Sequence, residues 1–121
     1  MGKVTHFEIP ATNPDKIMDF FTKALNWKFA KVDGMEYWLT DNGDAKFPGI
    51  NGAVTKRSGN FTTMVNTISV DNIDETLKKV TANGGTLIGN KMPIPMVGWF
   101  SYFKDPEGTM HGVLQPDTNA K

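Results

Sequence analysis

The sequence predicts an α+β fold: two βαβββ repeats forming a curved eight-strand mixed sheet around a cleft, with the helices on the outer face. Three observations predict it. First, shifting the chain by 59 positions lays Ile9 on Ile68, Ala11 on Val70, Asn13 on Asn72, Asp15 on Asp74, Met18 on Leu77, Phe21 on Val80 and Phe29 on Ile88 without a gap. Matches that cover a helix cap and both apolar stripes point to an internal duplication. Second, each half holds one stretch of helical period between strand-like runs. Third, the chain ends in an apolar hairpin, GWFSYFKDPEGTMHGVLQ, which needs a partner layer to lie against.

Taken in order, Lys3 to Ile9 reads as a strand whose alternation puts Val4, His6 and Glu8 on one face and Thr5, Phe7 and Ile9 on the other. Asn13 is a good N-cap, Pro14 suits the first helical position and Asp15 favours the positive end of the helix dipole. The helix then runs to Leu25 on a stripe of Ile17, Met18, Phe21 and Leu25, and Asn26 breaks it. Three strands follow, Trp27 to Val32, Met35 to Thr40 and Ile50 to Lys56, with Asp33-Gly34 as a two-residue hairpin turn and Asp41 to Gly49 as a polar loop.

Arg57 to Asn60 reads as the linker. In the second series Thr63 to Val70 is a strand and Asn72 caps a helix carrying Ile73, Leu77 and Val80. Gly84-Gly85 stops that helix. Thr86 to Lys91 is a strand, and Met92 to Met96 a proline-bearing loop on the cleft rim. Asp105-Pro106-Glu107-Gly108 suits a type I turn, and Asp117 to Lys121 a frayed tail. The chain is thus one domain, 1–121, with repeat units 3–57 and 62–116. Each helix covers one face of its small sheet, and the opposite faces form the cleft.

Composition narrows the function classes. Lys plus Arg is 13 and Asp plus Glu is 13, so the basic face that a nucleic-acid partner needs is not signalled. With no cysteine, disulfides, thiolate metal sites and thiol nucleophiles are excluded. The N-terminal MGKVTHFEI lacks the apolar core of a signal peptide, and no window has the length of a membrane span. The expectation is a cytoplasmic protein with neither nucleic-acid nor membrane partners.

The segments HFEIPATNPDKIMDFFTKALNWKF, ISVDNIDETLKKVTANGG and GWFSYFKDPEGTMHGVLQP resemble the vicinal oxygen chelate superfamily, which includes glyoxalase I, extradiol dioxygenases and bleomycin-resistance proteins. The nearest likeness is to short glyoxalase-like proteins. The resemblance implies a homodimer, and a cleft into which four side chains project in the metal-dependent members. Carried over by position, those fall on His6, near Gly52, on Val65 and on Gly112. Only His6 of these residues has a ligating atom. Catalytic zinc keeps about three protein ligands, whereas His6 with Glu8 gives two, and Asp44 is a remote third. No cofactor is therefore expected, with a divalent metal at His6 as the variant reading. The arginine with which glyoxalases hold the glutathione carboxylate falls on Pro10.

His6 is the candidate base, with Glu8 raising its basicity. Trp38, Gly52, Val65, Thr67, Trp99, Phe100, Met110 and Gly112 are the expected lining of a cleft for a small apolar or aromatic molecule. His111, beside Gly112, alternates to the opposite face and reads as structural. Two functions follow. One is a lactoylglutathione-lyase-related enzyme acting on a small carbonyl-type substrate, its metal site degenerate. The other is a non-catalytic protein that sequesters a small molecule as bleomycin-resistance proteins do.

Overall fold

Asn13 and Asn72 start the helices in the same way, each side chain accepting the backbone N–H three residues on, from Lys16 at 3.2 Å and from Glu75 at 3.0 Å. A computed structural model describes residues 2–41, 43, 46–59 and 61–121. Its elements are β1 (Gly2–Ala11), α1 (Pro14–Leu25), β2 (Lys28–Lys31), β3 (Tyr37–Asp41), β4 (Ala53–Lys56), β5 (Val65–Val70), α2 (Ile73–Ala82), β6 (Thr86–Ile94), β7 (Gly98–Lys104) and β8 (Met110–Pro116). The fold is α+β, as expected. The eight strands run in the order β2-β3-β4-β1-β5-β8-β7-β6, mixed in direction and not closed into a barrel. Among the described residues no helix is long and apolar enough to cross a membrane.

Compactness divides the chain into His6–Val65 and a second unit that joins Asn66–Lys121 to the N-terminal residues through Thr5. Within the first, β1 runs parallel to β4 with Glu8 opposite Ala53 and Ile9 opposite Val54. Within the second, β5 runs parallel to β8 with Thr67 opposite Gly112 and Ile68 opposite Val113. Each of these residues lies 59 positions from its counterpart.

The helix-side cores differ in composition. In the first unit Phe7 packs on Trp27, and Trp27 stacks on Phe21 with centroids 4.4 Å apart. In the second, Val70, Ile73, Leu77 and Val113 form the cluster, with Ile68, Trp99 and Phe103 against it. Leu25, expected on the buried stripe of α1, is 57% exposed. The helix ends there because Asn26 takes a left-handed φ of 61°, which Asn tolerates better than most residues.

Three local expectations are corrected. β6 continues through Pro93 to Ile94 where a rim loop was expected. It is an edge strand, so the missing N–H of Pro93 costs no ladder bond on its open side. The connection after β2 is longer than two residues: Val32 accepts from Met35 around Asp33-Gly34, and its own N–H donates to Tyr37. The C-terminal tail is docked. Asp117 accepts the indole N–H of Trp99 at 3.2 Å, the Ala120 carbonyl accepts from Met96, and Ala120 is 2% exposed.

Candidate functional site

With Phe7 committed to the rings under α1, alternation sends His6 and Glu8 to the other face of β1. Strand pairing then assembles their neighbours. Glu8 lies opposite Ala53, Ala53 opposite Leu39, and Tyr37 opposite Thr55, so these residues share one face of the first unit. The His6 ring lies parallel to that of Tyr37, and its Nε2 meets the Tyr37 hydroxyl at 2.8 Å.

Burial pushes the His6 pKa below its usual 6.5, and the neighbouring Glu8 carboxylate opposes that shift. The first effect is the larger, so His6 is neutral at physiological pH. Glu8 is 6% exposed. Tyr37 is the residue that sequence reasoning missed. Its pairing with His6 depends on β4 lying between β3 and β1, an order that no local pattern encodes.

The remaining positions are placed as follows. Gly52 does not share the His6 face. A Cβ there would strike the Phe7 carbonyl oxygen and lie 2.5 Å from Phe7 Cδ1, so the position is filled from the helix side. The strand partner of Glu8, Ala53, holds the second ligand position instead. Trp38 pairs with Val54, which pairs with Ile9, so it too belongs to the Phe7 face. Trp99 packs against the α2 cluster.

In the second unit Thr67, Phe100, Met110 and Gly112 do share a face, but all are buried, a packed interior where an open lining was expected; Val65, at the end of the first unit, is buried too. The Phe100 ring covers Gly112: a Cβ at 112 would lie 2.8 Å from Phe100 Cζ and 3.0 Å from Thr67 Oγ1. Phe100 also meets Tyr102 edge to face at 4.6 Å.

His111 is on the other face, as alternation predicts. Its Nε2 is 2.8 Å from Asp105 Oδ2, and its ring stacks on Phe103. Asp105 Oδ1 accepts the N–H groups of Glu107 and Thr109, and its carbonyl accepts from Gly108. The pair therefore locks the hairpin turn.

A family model described as the Glyoxalase/Bleomycin resistance protein/Dioxygenase superfamily matches residues 3–111. The chain belongs to this superfamily. It is 32% identical to a glyoxylase-like domain-containing protein of Didymella fabae, over 93% of this chain and 92% of that one. It is 28% identical to CFP32 of Mycobacterium bovis, a protein with a glyoxylase name, over 95% of this chain, but spans only 44% of that protein's length. Among solved structures it is similar to a methylmalonyl-CoA epimerase of Mycobacterium tuberculosis, with TM-score 0.67 and 11% identity over 94% of this chain and 87% of that one. It is also similar to a hypothetical protein of Bacillus halodurans C-125, with TM-score 0.68 and 13% identity over 99% and 98%. At these identities the structural likeness is one of fold.

Membership raises the question of the superfamily's metal. Of the ligand positions only His6 has a donor atom, because Ala53, Val65 and Gly112 have none to offer. Among the described residues no group of three or more His, Cys, Asp or Glu gathers, and Asp44 lies outside the described residues. This glyoxalase-superfamily chain does not fit a resident metal at that place.

Proposed function

We propose that the chain is a glyoxalase-like enzyme that moves a proton on a small carbonyl-type substrate, with His6, Tyr37 and Glu8 as its working residues. The 2.8 Å contact between His6 Nε2 and the Tyr37 hydroxyl carries the reading. A neutral imidazole can accept a proton from the carbon beside a carbonyl. As it does, Tyr37 releases His6 and donates a hydrogen bond to the developing enolate oxygen. Glu8 stabilises the imidazolium just formed, through the same attraction that raises the His6 pKa. The imidazolium then returns the proton to a carbon of the enolate, so atoms and charge balance with no redox change. Burial keeps the base neutral at rest, and Glu8 favours it once charged, so both help the same step.

Pro10 stands where the glutathione-binding arginine of glyoxalases would be, which favours a small free carbonyl compound over a glutathione adduct. By family resemblance the reading includes a homodimer, which light scattering checks as twice the chain mass.

The experiment is solvent exchange. Dihydroxyacetone in D2O, followed by proton NMR, is expected to lose its carbon-bound proton signals with the protein present. His6→Ala and Tyr37→Phe should slow that loss by about 10²–10⁴-fold and at least tenfold respectively, the range of general acid–base effects. Exchange no faster than buffer between pH 6 and 9 would overturn the enzyme reading. A melting temperature raised by flat aromatic compounds in that same protein would then favour sequestration.

A further inference from the structure

A pocket lies within the His6–Val65 unit, where β1 hands over to α1. Its volume is about 530 Å³, and His6 is not among its lining residues. Lys16, Arg57, Thr62 and Thr63, with Thr12 and Asn13, supply its polar wall, Ile17 and Met64 part of its apolar wall, and no lining residue carries a carboxylate. Among the described residues the lysine ion pairs engage Lys23, Lys79 and Lys91; Lys16 and Arg57 take part in none. Two cations facing one cavity repel each other unless an anion lies between them.

The helix terminus itself contributes little. Pro14 has no N–H, and the N–H of Lys16 is already taken by the Asn13 side chain. The charge is that of the side chains. Neighbouring contacts hold the walls in place: Arg57 N–H donates to the Ala11 carbonyl at 2.9 Å, and Lys56 Nζ donates to the Thr12 carbonyl at 2.8 Å. Arg57 is thereby fixed beside the end of β1, while its guanidinium keeps a fork of donors suited to an oxyanion.

We propose that this pocket binds a small organic oxyanion, a phosphate monoester or carboxylate on a short apolar body, at a site that includes neither His6, Glu8 nor Tyr37. Lys16 and Arg57 grip the oxyanion, Thr62 and Thr63 add hydroxyl donors, and Ile17 and Met64 cover the body.

Phenyl phosphate and benzoate, titrated into the full chain by calorimetry at low salt, test this and tell the two anions apart. Saturable binding of at least one probe is expected, weakened tenfold or more in Arg57→Gln and in Lys16→Gln, and weakened by added NaCl as exposed charges are screened. Amide shifts of the 15N-labelled wild-type chain on titration should centre on residues 16, 57 and 62–64. The proposal is overturned by no saturable binding of either probe at millimolar concentration. It is also overturned by unchanged affinity in both variants, or by shifts centred on His6 and Tyr37. None of these readouts depends on proton transfer, so the two proposals fail separately.

Discussion

The two halves use one strand register to opposite ends. In the first, the face carrying Glu8 and Ala53 keeps ionisable groups, His6 against Tyr37 with Glu8 beside them. In the second, the matching face carrying Thr67 and Gly112 is packed shut beneath Phe100. Gly52 and Gly112 make the contrast sharper. Both lack a side chain, but for different reasons: Gly52 abuts main chain, Gly112 a movable ring. A scaffold can therefore keep its hydrogen-bond ladder while ionisable groups persist in one half only, because register is set by the backbone and the lining of a face by single side chains.

The largest effect that would sharpen this comparison is at Gly52. Gly52→Ala should cost about 3 kcal/mol by urea unfolding, since a Cβ meets the Phe7 carbonyl and the backbone must shift. Next, Val54→Ala and Val113→Ala, a matched pair that are both 0% exposed, should cost about 2 kcal/mol each. Unequal losses would break the parallel between the halves.

Gly112→Ala should cost only about 1–2 kcal/mol, with much of it recovered in a Phe100→Leu background. A cost equal to that of Gly52→Ala would mean the ring yields no more than backbone. Tyr37→Phe should lose about 1 kcal/mol, the value of one part-buried hydrogen bond.

Two pH effects are the smallest. His6 titrates below 6.5 in the folded chain, so its contribution to stability is full above 6.5 and is lost as pH falls through the folded value. In His6→Gln the stability curve should be flatter there, and a wild-type curve already flat would contradict the burial effect. Asp105 titrates below 3.8, chiefly through its bond to His111. That contribution is present above 3.8 and lost on further acidification, so Asp105→Asn should flatten the acid arm. A slope identical to wild type would remove the assigned role of the turn.

How far the sequence reached depended on what kind of interaction decided each element. Both helices were legible because Asn13, Pro14, Asn26 and Asn72 act on backbone groups within a few residues. The strand through Pro93 was not, because whether proline is tolerated depends on the strand lying at an edge. Nor was the docked tail, which relies on Trp99 and Met96 meeting it. In the site, His6 and Glu8 could be placed together by alternation alone, whereas Gly52, Trp38 and Trp99 fell on the other face once β4 and β7 had partners.

By itself the sequence determined the superfamily, the helix limits, the matched positions 59 apart, and the scarcity of metal donors, since caps, periodicity and side-chain identity are local properties. Only the tertiary structure decided that Tyr37 meets His6, that Phe100 seals Gly112, and that Lys16 and Arg57 face one cavity. Those contacts join residues many positions apart, and strand order, which brings them together, is a property of the whole sheet.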